Sequence, residues 1–266
     1  MINVYNSLLF VPAKNKMLSK IEKLDAEAYI IDLEDSVEEE YKQEGLKNAL
    51  DYLEGYSGNK EIYIRVNKEN ALNECNALKN RAFAGFMLPK FEFPHDYSSL
   101  GKELLEKYKI IALIETPLGI INIPEISRCS WVDALAFGAE DYTAICNMKH
   151  VESNLLYAKS MLLNYGKAYG KPIYDSPCIQ LSDEKIIKEE VQNSFEMGFD
   201  GKLAINTRHI KTINEIFNYR DEKTIREIIR KYEESGKAVV VINGQLYEKM
   251  HINRLKKSLK EELRSS

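Results

Sequence analysis

Short hydrophobic runs recur along the chain as far as residue 217, and longer stretches with a polar face separate most of them. Apolar runs of four to six residues are typical of strands buried on both faces, while apolar residues at every third or fourth position are typical of surface helices. The pattern predicts eight strands, at residues 7–12, 28–33, 62–66, 85–88, 110–114, 134–137, 172–175 and 202–205. It predicts helices at residues 14–24, 36–53, 154–169, 183–197 and 207–217.

Eight strands that alternate with connecting segments over about 215 residues predict a (β/α)₈ TIM barrel, a fold that typically takes about 250 residues. A doubly wound open sheet gives a similar alternation, so periodicity alone leaves it as the alternative. The count of eight and the polar residues at the carboxyl ends of the strands favour the barrel. No G-x-G-x-x-G motif follows the first strand and no G-x-x-x-x-G-K-[ST] motif occurs, which argues against the common nucleotide-binding folds.

The pattern changes after residue 219. A charged helix is predicted at 221–234 and a strand at 238–242, followed by an Asn243-Gly244 turn, a return strand at 245–247 and a basic helix at 251–263. We therefore expect a barrel domain over residues 1–219 and a helix–hairpin–helix segment over 220–266, serving as a lid or in oligomerisation. The segment is too small to be an independent domain without a surface to dock on.

Composition narrows the class of protein. The 37 basic and 41 acidic residues give a net charge of −4, so no overall attraction to nucleic acid or to anionic membranes is expected. No apolar run approaches the length of a membrane span and no signal region opens the chain, which predicts a cytoplasmic protein. The four cysteines are widely spaced and form no C-x-x-C pair, as expected of free thiols.

Charged side chains end most of the predicted strands. In a barrel these positions meet at one mouth, where several carboxylates need a positive charge to offset their repulsion. Mg²⁺ fits best, because it binds one or two carboxylates and keeps water ligands that substrate oxygens can replace. Arg65 would then hold a substrate carboxylate or carbonyl. The residues in question are Glu34, Asp35, Arg65, Lys90, Glu115, Asp141 and Asp175.

Each of these positions also has a structural interpretation. Lys90 is more simply a salt-bridge partner, and Glu34 and Asp35 are suited to the start of a helix. Glu115 and Asp141 are the stronger metal candidates, because each closely follows an apolar strand. Their separation of 26 residues is close to one β-α repeat, so adjacent strands would present both carboxylates to one ion.

Seven short motifs at the strand ends resemble, in the right order, the citrate lyase β-subunit family of the wider HpcH/HpaI aldolase and malyl-CoA lyase group. They span nearly the whole predicted barrel. The motifs are LFVP at 9–12, IDLEDSV at 31–37, IRVN at 64–67, MLPK at 87–90, LIETPLG at 113–119, LAFGAEDY at 135–142 and GFDGKLAI at 198–205.

The resemblance implies roles for individual residues. Glu115 and Asp141 match the two carboxylates that bind Mg²⁺, and Arg65 matches an arginine that contacts substrate oxygens as part of catalysis. Asp35 and Lys90 match positions that orient these groups, and we assign Glu34 the same supporting role. The loop that ends at Asp141 matches the family loop whose backbone N–H groups hold the substrate carboxylate. In this chain those groups belong to Gly138, Ala139 and Glu140.

The resemblance also implies a reaction. Such enzymes cleave or form a carbon–carbon bond between a 2-oxo acid and an acyl thioester of coenzyme A or of an acyl carrier protein. The substrate would be a 3-hydroxy acyl thioester of the citryl, citramalyl or malyl type, and the assembly a homotrimer or hexamer. The alternatives are a subunit that works only in a carrier-dependent complex, a thioesterase or free-acid aldolase, and a binding protein that has lost catalysis.

The chain departs from the family pattern at two places. Glu248 stands where relatives have an aspartate that acts as the acid/base, so it is predicted to be catalytic, with helix capping as an equal alternative. Asn206-Thr207 replaces the His-Pro that usually follows the eighth strand. This second difference, close to the mouth, suggests a change in substrate range or in thioester recognition.

Overall fold

A computed structural model describes residues 3–218, 222–242 and 244–262. The chain divides into two compact units between Phe217 and Asn218. The predicted domain boundary, between residues 219 and 220, lies outside the described residues. The two units are considered separately below.

The first unit is a closed barrel of eight parallel strands in which each strand pairs with the next along the chain. Pairing of Leu8 with Leu203 joins the first strand to the last and closes the barrel. The predicted (β/α)₈ fold is therefore confirmed, and the open-sheet alternative is wrong. The strands are β1 (Ser7–Pro12), β2 (Ala28–Asp32), β3 (Glu61–Arg65), β4 (Gly85–Leu88), β5 (Lys109–Ile114), β6 (Ala134–Phe137), β7 (Ile173–Asp175) and β8 (Gly201–Ala204).

Side chains along each strand alternate between the barrel interior and the layer of helices. Ile30, Tyr63, Leu113 and Leu203 belong to an inner cluster, whereas Ile31 and its equivalents pack outward against the helices. Both faces of the strands are thus buried, which explains why they appear in the sequence as continuous apolar runs. The alternation also fixes which strand-end residues face the mouth.

Helices connect the strands and follow the last one. In the first unit they are α1 (Asn15–Leu18), α2 (Lys42–Glu54), α3 (Ala71–Leu78), α4 (Lys102–Lys107), α5 (Pro117–Ile121), α6 (Ile123–Arg128), α7 (Ala139–Ile145), α8 (Glu152–Ala168), α9 (Glu184–Met197) and α10 (Thr207–Asn218). Four 3₁₀ turns lie at Ile21–Lys23, Glu39–Tyr41, Lys68–Asn70 and Pro94–Leu100.

Two of the predicted helices are shorter than expected, and the loops after β5 and β6 contain helices. The helix predicted at 14–24 is α1 followed by a 3₁₀ turn, and the helix predicted at 36–53 begins as a 3₁₀ turn before α2. The segments after β5 and β6, for which no such helices are predicted, contain α5, α6 and α7. Pro117 is compatible with this because it lies in the first turn of α5, where its missing N–H costs nothing, and Thr116 caps that helix.

The second unit contains α11 (Glu222–Ser235), β9 (Val239–Ile242), β10 (Gln245–Glu248) and α12 (Lys249–Glu262). The two strands form an antiparallel hairpin, in which Gln245 pairs with Ile242. Of the predicted turn, Asn243 lies outside the described residues, and Gly244 has a φ of 81°. Ile228, Ile242 and Ile252 form a small core of this unit. Among the described residues no helix has the length and hydrophobicity that a membrane span requires.

Candidate active site

Alternation along the strands brings side chains from several strands to one end of the barrel interior. Asp32, Arg65 and Glu115 follow inward-facing residues of β2, β3 and β5 by two positions, so they point into the mouth. All three are at least nine-tenths buried. They line a cavity of about 510 Å³ together with residues 138–141.

Arg65 is held by three carboxylates of the segment that follows β2. Asp32 accepts from Nε at 2.7 Å and from Nη2 at 2.8 Å, a two-point contact that fixes the plane of the guanidinium. Nη1 donates to Asp35 at 2.9 Å and lies 3.2 Å from Glu34 Oε2. The Phe10 ring lies against the guanidinium, 4.8 Å from Cζ to its centroid. Arg65 is therefore paired and oriented by side chains of the barrel itself.

Burial and charge act in opposite directions on this pair. Burial alone would raise the pKa of Asp32, but the charge and hydrogen bonds of Arg65 outweigh it and hold that pKa below its usual value. Burial likewise opposes the charged form of Arg65, and the three carboxylates still raise its pKa. Both groups therefore stay ionised as a buried ion pair.

Lys90 links the Arg65 cluster to Asp141. Its ammonium lies 3.1 Å from Glu34 Oε1 and 3.9 Å from Asp141 Oδ2. Burial lowers the pKa of Lys90, but the bond to Glu34 outweighs this and the pKa is raised. Lys90 also has a φ of 47°, which is uncommon for a residue with a side chain. Lys90 is therefore a salt-bridge partner, as the structural interpretation of this position predicts. Its contacts are also with Glu34 and Asp141, two residues of the predicted site.

Glu115 is a carboxyl group that faces the cavity and has a strongly raised pKa. Its Oε1 accepts the Lys90 backbone N–H at 2.7 Å. Burial, followed by the nearby charge of Glu34, raises its pKa to about 8. A Cβ atom at Gly138 would lie 2.5 Å from Glu115 Oε2, so only glycine allows the β6 loop to approach this closely.

The loop that follows β6 is the first turn of α7. Ala139, Glu140 and Asp141 open the helix, and their N–H groups belong to the first turn, where intrahelical partners are lacking. The Asp141 side chain is about one-third exposed, at 35%. Glu140 Oε1 is hydrogen-bonded to the mostly buried His150 Nδ1. The predicted carboxylate-binding groups thus lie beside the predicted metal carboxylates.

Asp175 does not join the site, contrary to expectation. Its neighbour Tyr174 faces the barrel interior, so alternation turns Asp175 outward into the helix layer. There its Oδ2 accepts from Lys202 at 2.9 Å, from Lys159 at 3.1 Å and from Ser194. Burial would raise the pKa of Asp175, but the two ammonium groups hold it far below its usual value. Asp175 is part of an internal ion cluster.

Two other predicted positions make local contacts within their own segments of the chain. Glu248 ends β10 in the second unit, and its backbone N–H donates to His251 Nδ1 at 3.3 Å. Asn206 caps the start of α10, where its Oδ1 accepts the Arg208 N–H at 3.0 Å. Ile205, just before it, lines the cavity instead.

Two contacts at the site were not anticipated from the sequence. Asp32 lies within the predicted strand 28–33, and His150 lies between two predicted elements. The motif IDLED contains the signal for Asp32, because an acid within an apolar strand is costly to bury without a partner. The bond between His150 and Glu140 depends on a loop conformation that no local pattern predicts.

The donors at the mouth fit a hard divalent cation. Five carboxyl groups, from Asp32, Glu34, Asp35, Glu115 and Asp141, face two cationic side chains. Glu34 Oε2 is buried and accepts no hydrogen bond, although Arg65 Nη1 lies 3.2 Å away. Burial and the nearby charge of Glu34 raise the pKa of Glu115, and a bound cation would offset both effects. No cage of three or more His, Cys, Asp and Glu ligands occurs in the described part of the chain. Mg²⁺ needs no such cage, since water and substrate complete its coordination.

A profile of the HpcH/HpaI aldolase/citrate lyase family matches residues 6–207, which is most of the chain and essentially the whole barrel. The chain belongs to this family. The predicted membership is confirmed, and with it the assignment to an enzyme family that includes lyases.

Individual members of the HpcH/HpaI family resemble the chain over nearly its full length. Citrate lyase subunit beta of Leuconostoc mesenteroides subsp. cremoris is 27% identical, over 96% of this chain and 92% of that protein. The (3S)-malyl-CoA thioesterase of Cereibacter sphaeroides is also 27% identical, over 96% and 93%. The crystal structure of CitE from Mycobacterium tuberculosis with magnesium, acetoacetate and coenzyme A superposes with a TM-score of 0.83, at 21% identity and 97% coverage of both chains.

Proposed function

We propose that the protein is a Mg²⁺-dependent carbon–carbon lyase that converts a 3-hydroxy acyl thioester into a 2-oxo acid and a shorter acyl thioester, or runs the reverse reaction. The observation that carries the proposal is the meeting of Arg65, Glu115 and Asp141 at one cavity. The citrate lyase subunit among the relatives supports the reaction class. The magnesium in the CitE structure supports the choice of metal.

Glu115 and Asp141 would hold the ion, and Arg65 would contact the substrate oxygen that becomes the keto group. When bound, Mg²⁺ supplies Lewis-acid polarisation of that oxygen. The two-point contact with Asp32 keeps the guanidinium aimed, so little reorganisation is needed as charge develops. The N–H groups of residues 139–141 are suited to the substrate carboxylate.

Cleavage requires two proton movements. The hydroxyl proton passes to a carboxylate base, the adjacent carbon–carbon bond breaks, and its electron pair stays with the thioester fragment, which then takes a proton at carbon from the same group in its acid form. We assign that donor role to Glu248, either from the same chain or from a neighbouring copy. We further propose that the protein is a homotrimer or hexamer, in which a neighbouring copy can supply Glu248. We place it in the cytoplasm.

Product analysis tests the proposal. Citramalyl-CoA and malyl-CoA are incubated with the protein and Mg²⁺, and the released 2-oxo acid is trapped as its phenylhydrazone. We expect oxo-acid release that stops when EDTA removes the metal. Turnover that is unchanged in EDTA would contradict the proposed metal dependence.

A thioesterase is the second candidate, because one of the similar proteins carries that name. A thioesterase releases coenzyme A and leaves the hydroxy acid intact. Measuring thiol and oxo acid in the same reaction therefore separates the two activities. Activity only in the presence of a small acyl carrier protein would instead indicate a subunit of a larger complex.

A further inference from the structure

The two sides of the cavity differ in chemistry. The strands β2, β3, β5 and β6 and the loops after them supply its charged groups. The contiguous strands β7, β8 and β1 supply an apolar wall. This wall consists of Phe10, Pro12, Pro177, Leu203 and Ile205.

Alternation explains the apolar wall. Leu8 and Leu203 face the barrel interior, so Phe10, two positions after Leu8, and Ile205, two after Leu203, face the same way. Asn206 uses its side-chain oxygen to cap α10. The wall thus presents hydrocarbon at the end of β8.

The cationic side chains at the cavity are already paired with carboxylates. Arg65 is the one cationic side chain among the lining residues in the described part of the barrel. Its guanidinium donates to Asp32 and Asp35 and lies beside Glu34. Lys90, behind the acidic side, is paired with Glu34. One substrate carboxylate has the metal and the start of α7 to meet it, whereas a second would lie against hydrocarbon or near other carboxylates.

We infer that the 2-oxo acid handled at this site is a monocarboxylate whose substituent is hydrogen or a small apolar group, of the pyruvate and glyoxylate class. A dicarboxylic 2-oxo acid such as oxaloacetate is disfavoured, because its second carboxylate would lose water without gaining a partner. The inference rests on the proposed function and deepens it. The thioester substrate is then of the citramalyl or malyl type.

Binding is measured by titration calorimetry of the full-length protein in saturating Mg²⁺, with pyruvate, glyoxylate and freshly dissolved oxaloacetate checked for decarboxylation. We expect the better monocarboxylate to bind at least about tenfold more tightly than oxaloacetate. Oxaloacetate binding as tightly as the better monocarboxylate would overturn the inference and leave the lyase proposal standing. Absence of binding by all three acids would overturn both.

A charge-insertion variant tests the wall itself. Ile205 is 51% exposed, so Ile205→Arg is tolerated by the fold and adds a cation on the apolar side. We expect the ratio of oxaloacetate to pyruvate affinity to rise by about tenfold, since a second carboxylate gains a partner. The matched control is Ile186→Arg on α9, which is 45% exposed and lies outside the cavity lining. An equal change in both variants, or none in Ile205→Arg, would contradict the role of the wall.

Discussion

Arg65 and Asp32 show how a single buried pair determines the chemistry of the mouth. Two parallel hydrogen bonds hold the guanidinium in one plane, and both side chains are almost fully buried. A lone arginine here would be costly to bury, and a lone aspartate equally so. We therefore regard Asp32 as a positioning residue that acts through Arg65.

Replacing Asp32 by Asn tests this role. The amide keeps the size of the side chain but removes a charge and one acceptor, so Arg65 is expected to turn toward Glu34 and Asp35. A charged hydrogen bond contributes about 1.5–3 kcal/mol, which corresponds to a loss of roughly 10- to 100-fold in kcat/KM. Steady-state assays measure the loss, and calorimetry shows whether oxo-acid binding is weakened with it.

Asp35→Asn is the matched control for Asp32→Asn, because Asp35 touches the same guanidinium at one point and its side chain is 58% exposed. Its effect on kcat/KM should be several times smaller. Equal losses in the two variants would argue against a special positioning role for Asp32. Thermal unfolding of both variants separates loss of fold from loss of function.

The two proposed metal ligands give a second prediction at this scale. Glu115→Gln and Asp141→Asn each remove one negative oxygen donor, and we expect Mg²⁺ affinity to fall by at least about tenfold and lyase turnover with it. Calorimetric titration with Mg²⁺ alone measures the affinity without relying on activity. Glu125→Gln, an exposed acid on α6, serves as the control. Unchanged Mg²⁺ binding in either site variant would refute the assignment of that residue.

The pKa of Glu115 predicts a pH dependence for the metal-free protein. The folded state holds this proton up to about pH 8, whereas an unperturbed Glu releases it near 4.5. The folded state therefore binds more protons over that range, so the contribution of Glu115 to stability is complete below pH 4.5 and is lost as pH rises through 8. Mg²⁺ competes with the proton, and its affinity should rise over the same range. A Glu115→Gln variant should lack this component of the unfolding profile.

At the scale of elements, the barrel strands and their helices are tied by charge as well as by apolar packing. The cluster of Asp175 on β7, Lys202 on β8, and Lys159 and Ser194 on α8 and α9 lies between the sheet and the helices. Glu190 lies 3.2 Å from Lys202, and Glu152 lies 2.9 Å from Lys159. These contacts connect the apolar wall of the cavity to the outer layer.

Asp175→Asn should weaken this connection. The change leaves two buried ammonium groups with less negative charge, and breaking a buried pair typically costs about 3–5 kcal/mol. We expect the free energy of unfolding, measured by urea denaturation at neutral pH, to fall by about 3 kcal/mol. Glu215→Gln, which breaks an exposed pair with Lys211 on α10, should change it by less than about 0.5 kcal/mol. A near-zero effect of Asp175→Asn would show that the cluster adds little to stability.

At the scale of the whole molecule, the predicted chemistry is divided between the two units. The proposed metal carboxylates and Arg65 belong to the barrel, whereas Glu248 belongs to the hairpin of the second unit. Its proposed proton transfer therefore depends on how the units or copies of the chain assemble. The predicted lid and the predicted trimer or hexamer depend on the same assembly.

Glu248→Gln tests this division of labour. If Glu248 transfers the proton, kcat should fall by about 10²- to 10⁴-fold, while Mg²⁺ and pyruvate binding in the barrel stay as they were. Glu248→Asp should retain part of the rate. A capping role predicts the opposite result, with a lower unfolding temperature and normal turnover in Glu248→Gln. Glu227→Gln on the exposed face of α11 is the control.

The fold class and most of the acidic and basic residues at the mouth can be predicted from the amino-acid sequence alone. Eight apolar runs separated by connecting segments specify the strands, because burial on both faces requires continuous hydrophobicity. Glu115 and Asp141 were recognisable because they closely follow such runs. Short helices such as α5 and α7 were missed, since Gly and Pro at a helix start resemble those of a loop.

The direction in which each strand-end side chain points depends on the three-dimensional arrangement of the strands. Asp175 and Glu115 both end apolar strands, yet one enters the helix layer and the other the mouth, because one position along a strand reverses the face. The partner of Asp32, the raised pKa of Glu115 and the apolar wall at Ile205 likewise arise from strands distant in sequence. Local patterns determine the elements, whereas the register of a closed barrel determines which of their side chains meet.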